Sequence, residues 1–185
     1  MQEMMVVVVV SGMALLSGCG PASTSHDPVK RGEYLVTLAS CSDCHTPGHL
    51  LGKPDMSKFL GGSDVGFVVP ELGYFWGPNL TPDKETGLGN WSEEEILLAL
   101  REGTRPDGRK LAPMMPWMAY AKLSDEDAKA IVAYLKSLAP ISNKAPGPIG
   151  ASETPTAAYQ QVVFPKPVES AAPPTDAAPA APAAN

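Results

Sequence analysis

Residues 41–45 read CSDCH, and the rest of the chain is arranged around this stretch. Two thiols separated by two residues, with a histidine directly after the second, form the pattern that attaches a c-type haem covalently. Each thiol adds to one haem vinyl group, and the resulting bridge brings the histidine ring beneath the iron as its proximal ligand. The sequence therefore predicts one haem c attached at Cys41 and Cys44, with His45 as an axial ligand of the iron.

A Cys-x-x-Cys pair also occurs in zinc sites and in thioredoxin-like redox sites. A zinc site needs further ligands, but Cys19, His26 and His49 do not form a second pair at zinc-site spacing. A thioredoxin-like pair belongs to a βαβ unit, whereas the residues before Cys41 are predicted to be helical and no parallel-strand pattern follows. Haem attachment is favoured over both sites, and thiol chemistry stays an alternative.

Composition suggests one domain with additional segments. The chain has 185 residues, of which 44% are hydrophobic and 18% are charged. Its formal net charge of -6 argues against nucleic acid as a partner. Residues 28–140 are predicted to form the domain, and residues 141–185 a disordered tail rich in Ala and Pro. Within this tail, residues 159–164 form an apolar island that is able to dock on the domain.

An apolar stretch at residues 4–16 precedes Cys19, and residues 16–19 read LSGC. This pattern resembles the lipobox of bacterial lipoproteins. It implies that residues 1–18 are a signal peptide and that Cys19 is lipidated after cleavage. The stretch is too short to span a bilayer, and an uncleaved interfacial segment is the alternative. We therefore expect an exported, lipid-anchored protein of the bacterial cell envelope, with residues 19–27 as a tether.

Three helices are predicted from capping residues and helical apolar spacing. Their expected bounds are 28–40, 93–103 and 125–138, with Asp27, Ser92 and Ser124 as N-caps. On the first helix, Gly32 is a flat position where another helix can approach closely. Residues 46–90 show no sustained periodicity, and a haem is expected to supply the core that organises them. The predicted fold is mainly α, one cytochrome c-like helical domain wrapped around one haem, with no substantial sheet.

A low-spin haem needs a sixth ligand, and methionine is the usual choice in a carrier. The candidates are Met56, Met114, Met115 and Met118. Met114 and Met115 stand between Pro113 and Pro116, where a residue that precedes proline favours extended geometry. Adjacent side chains of an extended segment point to opposite sides, so only one of these two methionines can reach the iron. Our choice is Met115.

Residues on both sides of the CSDCH stretch carry a family resemblance. They are Arg31, Gly32, Tyr34 and Leu35; Pro78, Asn79, Leu80, Thr81, Pro82 and Asp83; Thr86, Gly87, Gly89, Trp91 and Ser92; and Arg101, Gly103, Arg105, Pro106, Asp107, Gly108, Met115 and Pro116. With these residues, positions 29–141 resemble a class I c-type cytochrome domain, in particular the cytochrome subunits of periplasmic alcohol and sugar dehydrogenases. The resemblance implies that Cys41 and Cys44 are the thioether residues, His45 the proximal ligand and Met115 the distal ligand.

The same resemblance assigns a role to Pro78. In small class I cytochromes, a proline carbonyl in a Gly-Pro-Asn-Leu loop accepts the second ring N–H of the axial histidine. A hydrogen bond of this type fixes the tautomer of the histidine and makes it a more basic ligand. We therefore expect the carbonyl of Pro78 to accept from His45.

Basic residues crowd the approach to the methionine segment. Haem propionates are carboxylates that need hydrogen-bond donors when they are partly buried, so we expect Arg105 or Arg109 to bind one of them. A solvated charged surface is the alternative.

The predicted function is that of a one-electron carrier and not of an enzyme. Its partners are expected to be periplasmic or membrane redox proteins, from a dehydrogenase to a terminal acceptor, with the membrane reached through the N-terminal lipid. The alternatives are a haem enzyme or gas-binding sensor with a labile methionine, a Cys-x-x-Cys thiol oxidoreductase, and a structural lipoprotein.

Overall fold

The computed structural model describes residues 27–165, and helix α1 spans Pro28–Leu38. The carboxylate of Asp27 caps it by accepting from the backbone N–H of Val29 at 2.9 Å. The helix ends two residues before the expected limit because Ser40 takes a left-handed backbone conformation, with φ at 53°. This turn redirects the chain into a second short helix, α2, at Cys41–His45.

Two of the three later helices begin at the predicted caps, and the short helix between them was not predicted. At the start of one of them, the Ser92 hydroxyl accepts from the Glu95 N–H at 3.1 Å and the Glu95 carboxylate accepts from the Ser92 N–H at 2.8 Å. The same helix ends at Gly103, which has a left-handed φ of 64°. The bounds are α3 Glu93–Glu102, α4 Trp117–Tyr120 and α5 Asp125–Ser137.

Helices α1 and α5 cross at close range. A Cβ atom at Gly32 would collide with the backbone carbonyl of Ala130 and lie 2.7 Å from Cβ of Tyr134, so only glycine permits this approach. The predicted role of Gly32 is therefore confirmed. Helices α1, α3 and α5 enclose the apolar core, whose buried members are Leu35, Val36, Leu60, Leu88, Ile96, Ala130, Ile131, Val132 and Leu135.

A small sheet lies in the region where no regular structure was expected. Strand β1, Gly66–Val69, pairs antiparallel with β2, Gly73–Trp76. Strand β3, Tyr159–Gln160, adds to the other edge of β1 in parallel, which gives the order β2-β1-β3. The strands have only two to four residues, so the fold is mainly α, as predicted, with little sheet.

Residues 141–160 differ from the expected disordered tail. They run back across the domain, where the N–H of Ile141 donates to Thr81 Oγ1 at 3.1 Å and Ile149 forms a bridge with Tyr74. The carbonyl of Ala158 accepts from the Trp76 indole at 2.9 Å, next to the predicted docking island. Side-chain hydrogen bonds to backbone groups hold this segment, and a pattern of apolar residues does not reveal such bonds.

Several predictions concern other parts of the chain. The signal peptide at residues 1–18, the lipidated Cys19 and the Ala/Pro-rich stretch after residue 165 lie outside the described residues. Within residues 27–165, no helix has the length and apolar character needed to cross a bilayer.

Candidate haem-binding site

Helix α2 presents the two predicted attachment thiols together. Cys41 and Cys44 are three positions apart, so their side chains lie on one face of the helix. Both thiols are partly buried, and Cys41 packs against the apolar core. His45 ends the helix and is buried. The two thiols and the histidine are therefore available together on one short helix, where they would hold a covalently attached cofactor.

The ring of His45 has a defined orientation. Its Nδ1 lies 2.7 Å from the carbonyl oxygen of Pro78, which is the contact that the family resemblance predicts. Since a carbonyl can only accept, the neutral ring carries its proton on Nδ1, and the lone pair is on Nε2. Burial lowers the pKa of His45, and the bond to Pro78 only partly opposes this shift. The ring is therefore a neutral imidazole suited to bind a metal ion through Nε2.

Gly77 allows the Pro78 carbonyl to come this close. A Cβ atom at Gly77 would collide with the backbone carbonyl of Cys44 and lie 3.3 Å from His45 Nδ1. The loop therefore touches the end of α2 at a position that has no space for a side chain. Sequence reasoning quoted Gly77 in the loop motif but gave it no role.

The two thiols are not activated as nucleophiles. Burial raises the pKa of Cys41 to about 11, and burial also raises the pKa of Cys44, with a further contribution from Asp43. Reactive redox thiols need lowered pKa values, because the thiolate is the nucleophile. In the described part of the chain, no group of three or more His, Cys, Asp or Glu side chains is arranged to hold a metal ion. The raised pKa values of both thiols argue against the thiol oxidoreductase alternative.

The predicted distal segment forms a turn and not an extended strand. The N–H of Met115 donates to the carbonyl of Ala112 at 3.0 Å, and Pro113 occupies the second position of that turn, where its fixed φ is favourable. Met114 is 51% exposed, whereas Met115 is partly buried. The two side chains thus have different environments, as expected, although a turn and not strand alternation separates them.

The two other methionine candidates are more exposed than Met115. Met56 has 61% of its surface exposed and Met118 59%, so neither is held by the apolar core. His49 stays beside the motif helix, where its Nε2 lies 3.2 Å from Asp43. Of the four methionines considered as iron ligands, Met115 is the least exposed to solvent.

The two predicted propionate ligands have different surroundings. The guanidinium of Arg105 lies 4.8 Å from the centre of the Trp91 ring, and its Nε is 3.5 Å from Asp107. Arg109 is exposed and lines a shallow cavity beside Phe75. Arg105 is therefore the more rigidly held of the two arginines.

Sequence reasoning missed two residues around the motif. Tyr120 is half-buried, and its hydroxyl donates to the carbonyl of Ala39 at 3.4 Å, beside the turn into α2. Asn79 is 1% exposed and directly follows Pro78. The position of Asn79 in the Gly-Pro-Asn-Leu motif was the only sequence feature that pointed to a role for this residue. No pattern in the sequence singles out Tyr120.

The residues present fit a covalent haem. Helix α2 offers two thiols on one face and a neutral histidine with a free Nε2 lone pair, and the separate methionine turn carries a partly buried thioether. Cys41 and Cys44 would hold the group covalently and His45 would bind its iron, with Met115 as the proposed second ligand of the iron. In c-type cytochromes two cysteines attach the haem, and a histidine and a methionine bind its iron.

Comparison with known proteins also identifies a cytochrome c domain. The cytochrome c family model matches residues 29–139. A fructose dehydrogenase cytochrome subunit from Gluconobacter japonicus is 40% identical over 116 residues, which are 62% of this chain and 22% of that subunit. The cytochrome c subunit of a quinone alcohol dehydrogenase from Gluconobacter oxydans is 37% identical over 138 residues, 72% of this chain and 27% of the subunit. A gluconate 2-dehydrogenase cytochrome c subunit from Pantoea cypripedii is 39% identical over 115 residues, 62% of this chain and 24% of the subunit.

This chain spans about a quarter of the length of these three relatives. The family match nevertheless covers the five α-helices of residues 27–165, because it extends from the first turn of α1 to beyond the end of α5. It also includes the CSDCH stretch, the Pro78 loop and the methionine turn. The chain therefore belongs to the cytochrome c family, whose members carry covalently bound haem c.

Proposed function

We propose that this protein carries a single haem c on Cys41 and Cys44, with His45 and Met115 as axial ligands, and acts as a one-electron carrier. The observation that carries this proposal is the bond between His45 Nδ1 and Pro78, which leaves Nε2 free beside two thiols on one helix face. When bound, haem supplies an iron that cycles between the ferric and ferrous states.

The protein residues would provide attachment, orientation and protection from water. Cys41 and Cys44 fix the position of the ring, and the Pro78 carbonyl strengthens His45 as a ligand. If Met115 supplies a second ligand from its thioether, no coordination position would be open for a substrate. This arrangement favours electron transfer over the haem enzyme or gas-binding sensor.

Redox proteins of the cell envelope are the partners that we propose. The relatives are cytochrome subunits of dehydrogenases, so a dehydrogenase, an oxidase or another cytochrome is the class of protein that would exchange electrons with this chain. We further propose that lipidated Cys19 anchors the domain to a membrane facing the periplasm or the cell exterior. A tether of fewer than ten residues from Cys19 to Pro28 would span at most roughly 30 Å, which keeps the domain close to membrane-bound partners.

Spectroelectrochemical titration of the full-length protein tests the proposal. We expect a one-electron Nernst slope, in which the oxidised-to-reduced ratio changes tenfold per about 59 mV. The ferrous wild-type protein should not bind carbon monoxide, whereas Met115→Ala should bind it because its sixth position is open. Ready binding of carbon monoxide by wild-type protein would favour the sensor or enzyme alternative instead. Absence of covalent haem would refute the proposed function.

A further inference from the structure

Residues 141–160, named here the C-terminal strap, are bonded to the domain on both sides of the Pro78 loop. At its start, the N–H of Asn143 donates to Thr86 Oγ1 at 3.2 Å, and its side-chain amide donates to the carbonyl of Gly61 at 2.9 Å. At its end, the Ala158 carbonyl accepts from Gly66 N at 2.9 Å. The strap therefore contacts regions that precede and follow the Pro78 loop in sequence.

Asn79 connects the strap to this loop. Its side-chain Nδ2 donates to the carbonyl of Ile141 at 2.7 Å and to Thr86 Oγ1 at 3.0 Å. Its Oδ1 accepts from the backbone N–H of Thr81 at 2.9 Å. Because a backbone N–H can only donate and a carbonyl can only accept, these partners fix the orientation of the amide. The side chain is 1% exposed, so loss of these bonds leaves buried polar groups unpaired.

The other restraints on the loop come from residues near the haem motif itself. Ser63 N donates to the Gly77 carbonyl, and Leu80 N donates to the Leu60 carbonyl, each at 2.8 Å. These bonds hold both ends of the loop but do not contact Pro78. The carbonyl of Pro78 belongs to the peptide unit that continues into Asn79, so the plane of that peptide follows the position of Asn79.

We propose that the C-terminal strap, through Asn79, holds the Pro78 carbonyl against His45 and thereby sets the strength of the proximal ligand. This inference rests on the proposed haem-binding function and adds Asn79 to it as a positioning residue. A firmly held carbonyl makes the imidazole more basic, which stabilises ferric iron. Release of the carbonyl weakens this effect and raises the reduction potential.

The experiment compares variants that loosen the Asn79 link with variants that leave it intact. Asn79→Leu removes all polar atoms at a similar volume, and a chain that ends at residue 140 removes the strap. Thr86→Val is a milder change that deletes one acceptor of Asn79. The controls are a chain that ends at residue 165, which keeps every described strap contact, and Tyr159→Ala, which disturbs only the far end of the strap.

Two readouts separate positioning from general stability. The first is hydrogen exchange of the His45 ring N–H, measured by NMR in the ferrous protein, and the second is the reduction potential. Loosening variants should accelerate exchange up to about tenfold, equivalent to ~1.4 kcal/mol, which is the strength expected of one net hydrogen bond. They should also raise the potential, whereas both controls keep wild-type values of exchange and potential.

Each possible result of this experiment either supports or overturns the inference. Loosening variants that lower unfolding stability but keep wild-type exchange and potential would overturn it and leave Asn79 with a purely structural role. Equal changes in Tyr159→Ala would overturn it as well, because the effect would then not pass through Asn79. If Asn79→Leu and the chain that ends at residue 140 both fail to fold, the exchange rate and potential of Thr86→Val alone test the inference. Wild-type protein without covalent haem would refute the proposed function itself, a result that the absorption spectrum distinguishes from failure of the inference.

Discussion

Gly77→Ala is the substitution that tests the geometry of the site most severely. The added Cβ atom collides with the Cys44 carbonyl and lies 3.3 Å from His45 Nδ1. Backbone atoms are the main obstacle, so rotation of a flexible side chain gives no relief. The Pro78 loop must move away from α2, and the bond of 2.7 Å between Pro78 and His45 must lengthen.

Three effects determine how much Gly77→Ala changes the free energy of unfolding. Overpacking against backbone costs about 1–3 kcal/mol, and loss of one hydrogen bond costs about 0.5–1.5 kcal/mol. In the opposite direction, replacing glycine by alanine restricts the unfolded chain and stabilises by about 0.4–1 kcal/mol. The steric cost outweighs the entropic gain, so Gly77→Ala should lower the free energy of unfolding by about 0.5–4 kcal/mol.

Denaturant unfolding, followed by the haem absorption, measures this difference. Gly147→Ala is the matched control, because its Cβ meets no atom within 4 Å and its φ lies outside the left-handed region. The control should stay within about 0.5 kcal/mol of wild type. Gly77→Ala should also raise the reduction potential, since His45 loses its acceptor. A Gly77→Ala protein with wild-type stability and potential would refute the close contact between the loop and α2.

The remaining predictions concern the axial ligand, the propionates and the anchor. Met115→Ala should abolish the weak far-red absorption band of methionine bound to ferric iron, whereas Met114→Ala should keep it; the reverse pattern would move the ligand by one position. Arg105→Gln should lower the reduction potential, because a nearby positive charge favours ferrous iron. The control is Arg101→Gln, which should keep the wild-type potential because Arg101 is paired with Asp125. Equal potentials in the two variants would mean that Arg105 is a solvated surface residue that binds no propionate. Cys19→Ser should leave the haem spectrum intact but remove the protein from the membrane fraction, and wild-type protein without acyl groups on its first peptide would contradict lipid anchoring.

Local signals were sufficient to predict the three long helices, α1, α3 and α5, but not the short helices α2 and α4. Asp27, Ser92 and Ser124 cap α1, α3 and α5 as expected, because an N-cap side chain acts only on the first turn of its own helix. Gly32 was also identified correctly, since a helix surface without a side chain is visible in the sequence. The contact between Pro78 and His45 was anticipated from family resemblance, as their separation of 33 positions has no local signature.

The sheet and the strap were not predictable in the same way. Strands β1 and β2 are too short for an alternating pattern, and β3 comes more than 80 residues after them. The strap is rich in Pro and Ala, a composition typical of disorder, yet Asn79 and Asn143 hold it through hydrogen bonds to backbone carbonyls. Such bonds depend on tertiary position and leave no periodicity in the sequence.

The mass of the denatured full-length protein, produced in cells that attach haem c, tests the central claim most directly. Our account predicts the mass of the processed, Cys19-acylated polypeptide plus that of one haem, and this added haem mass should remain after acid acetone extraction. A variant with both Cys41→Ser and Cys44→Ser should lose that added mass. Wild-type protein with the mass of the bare polypeptide would contradict the assignment of a single covalent haem to this site.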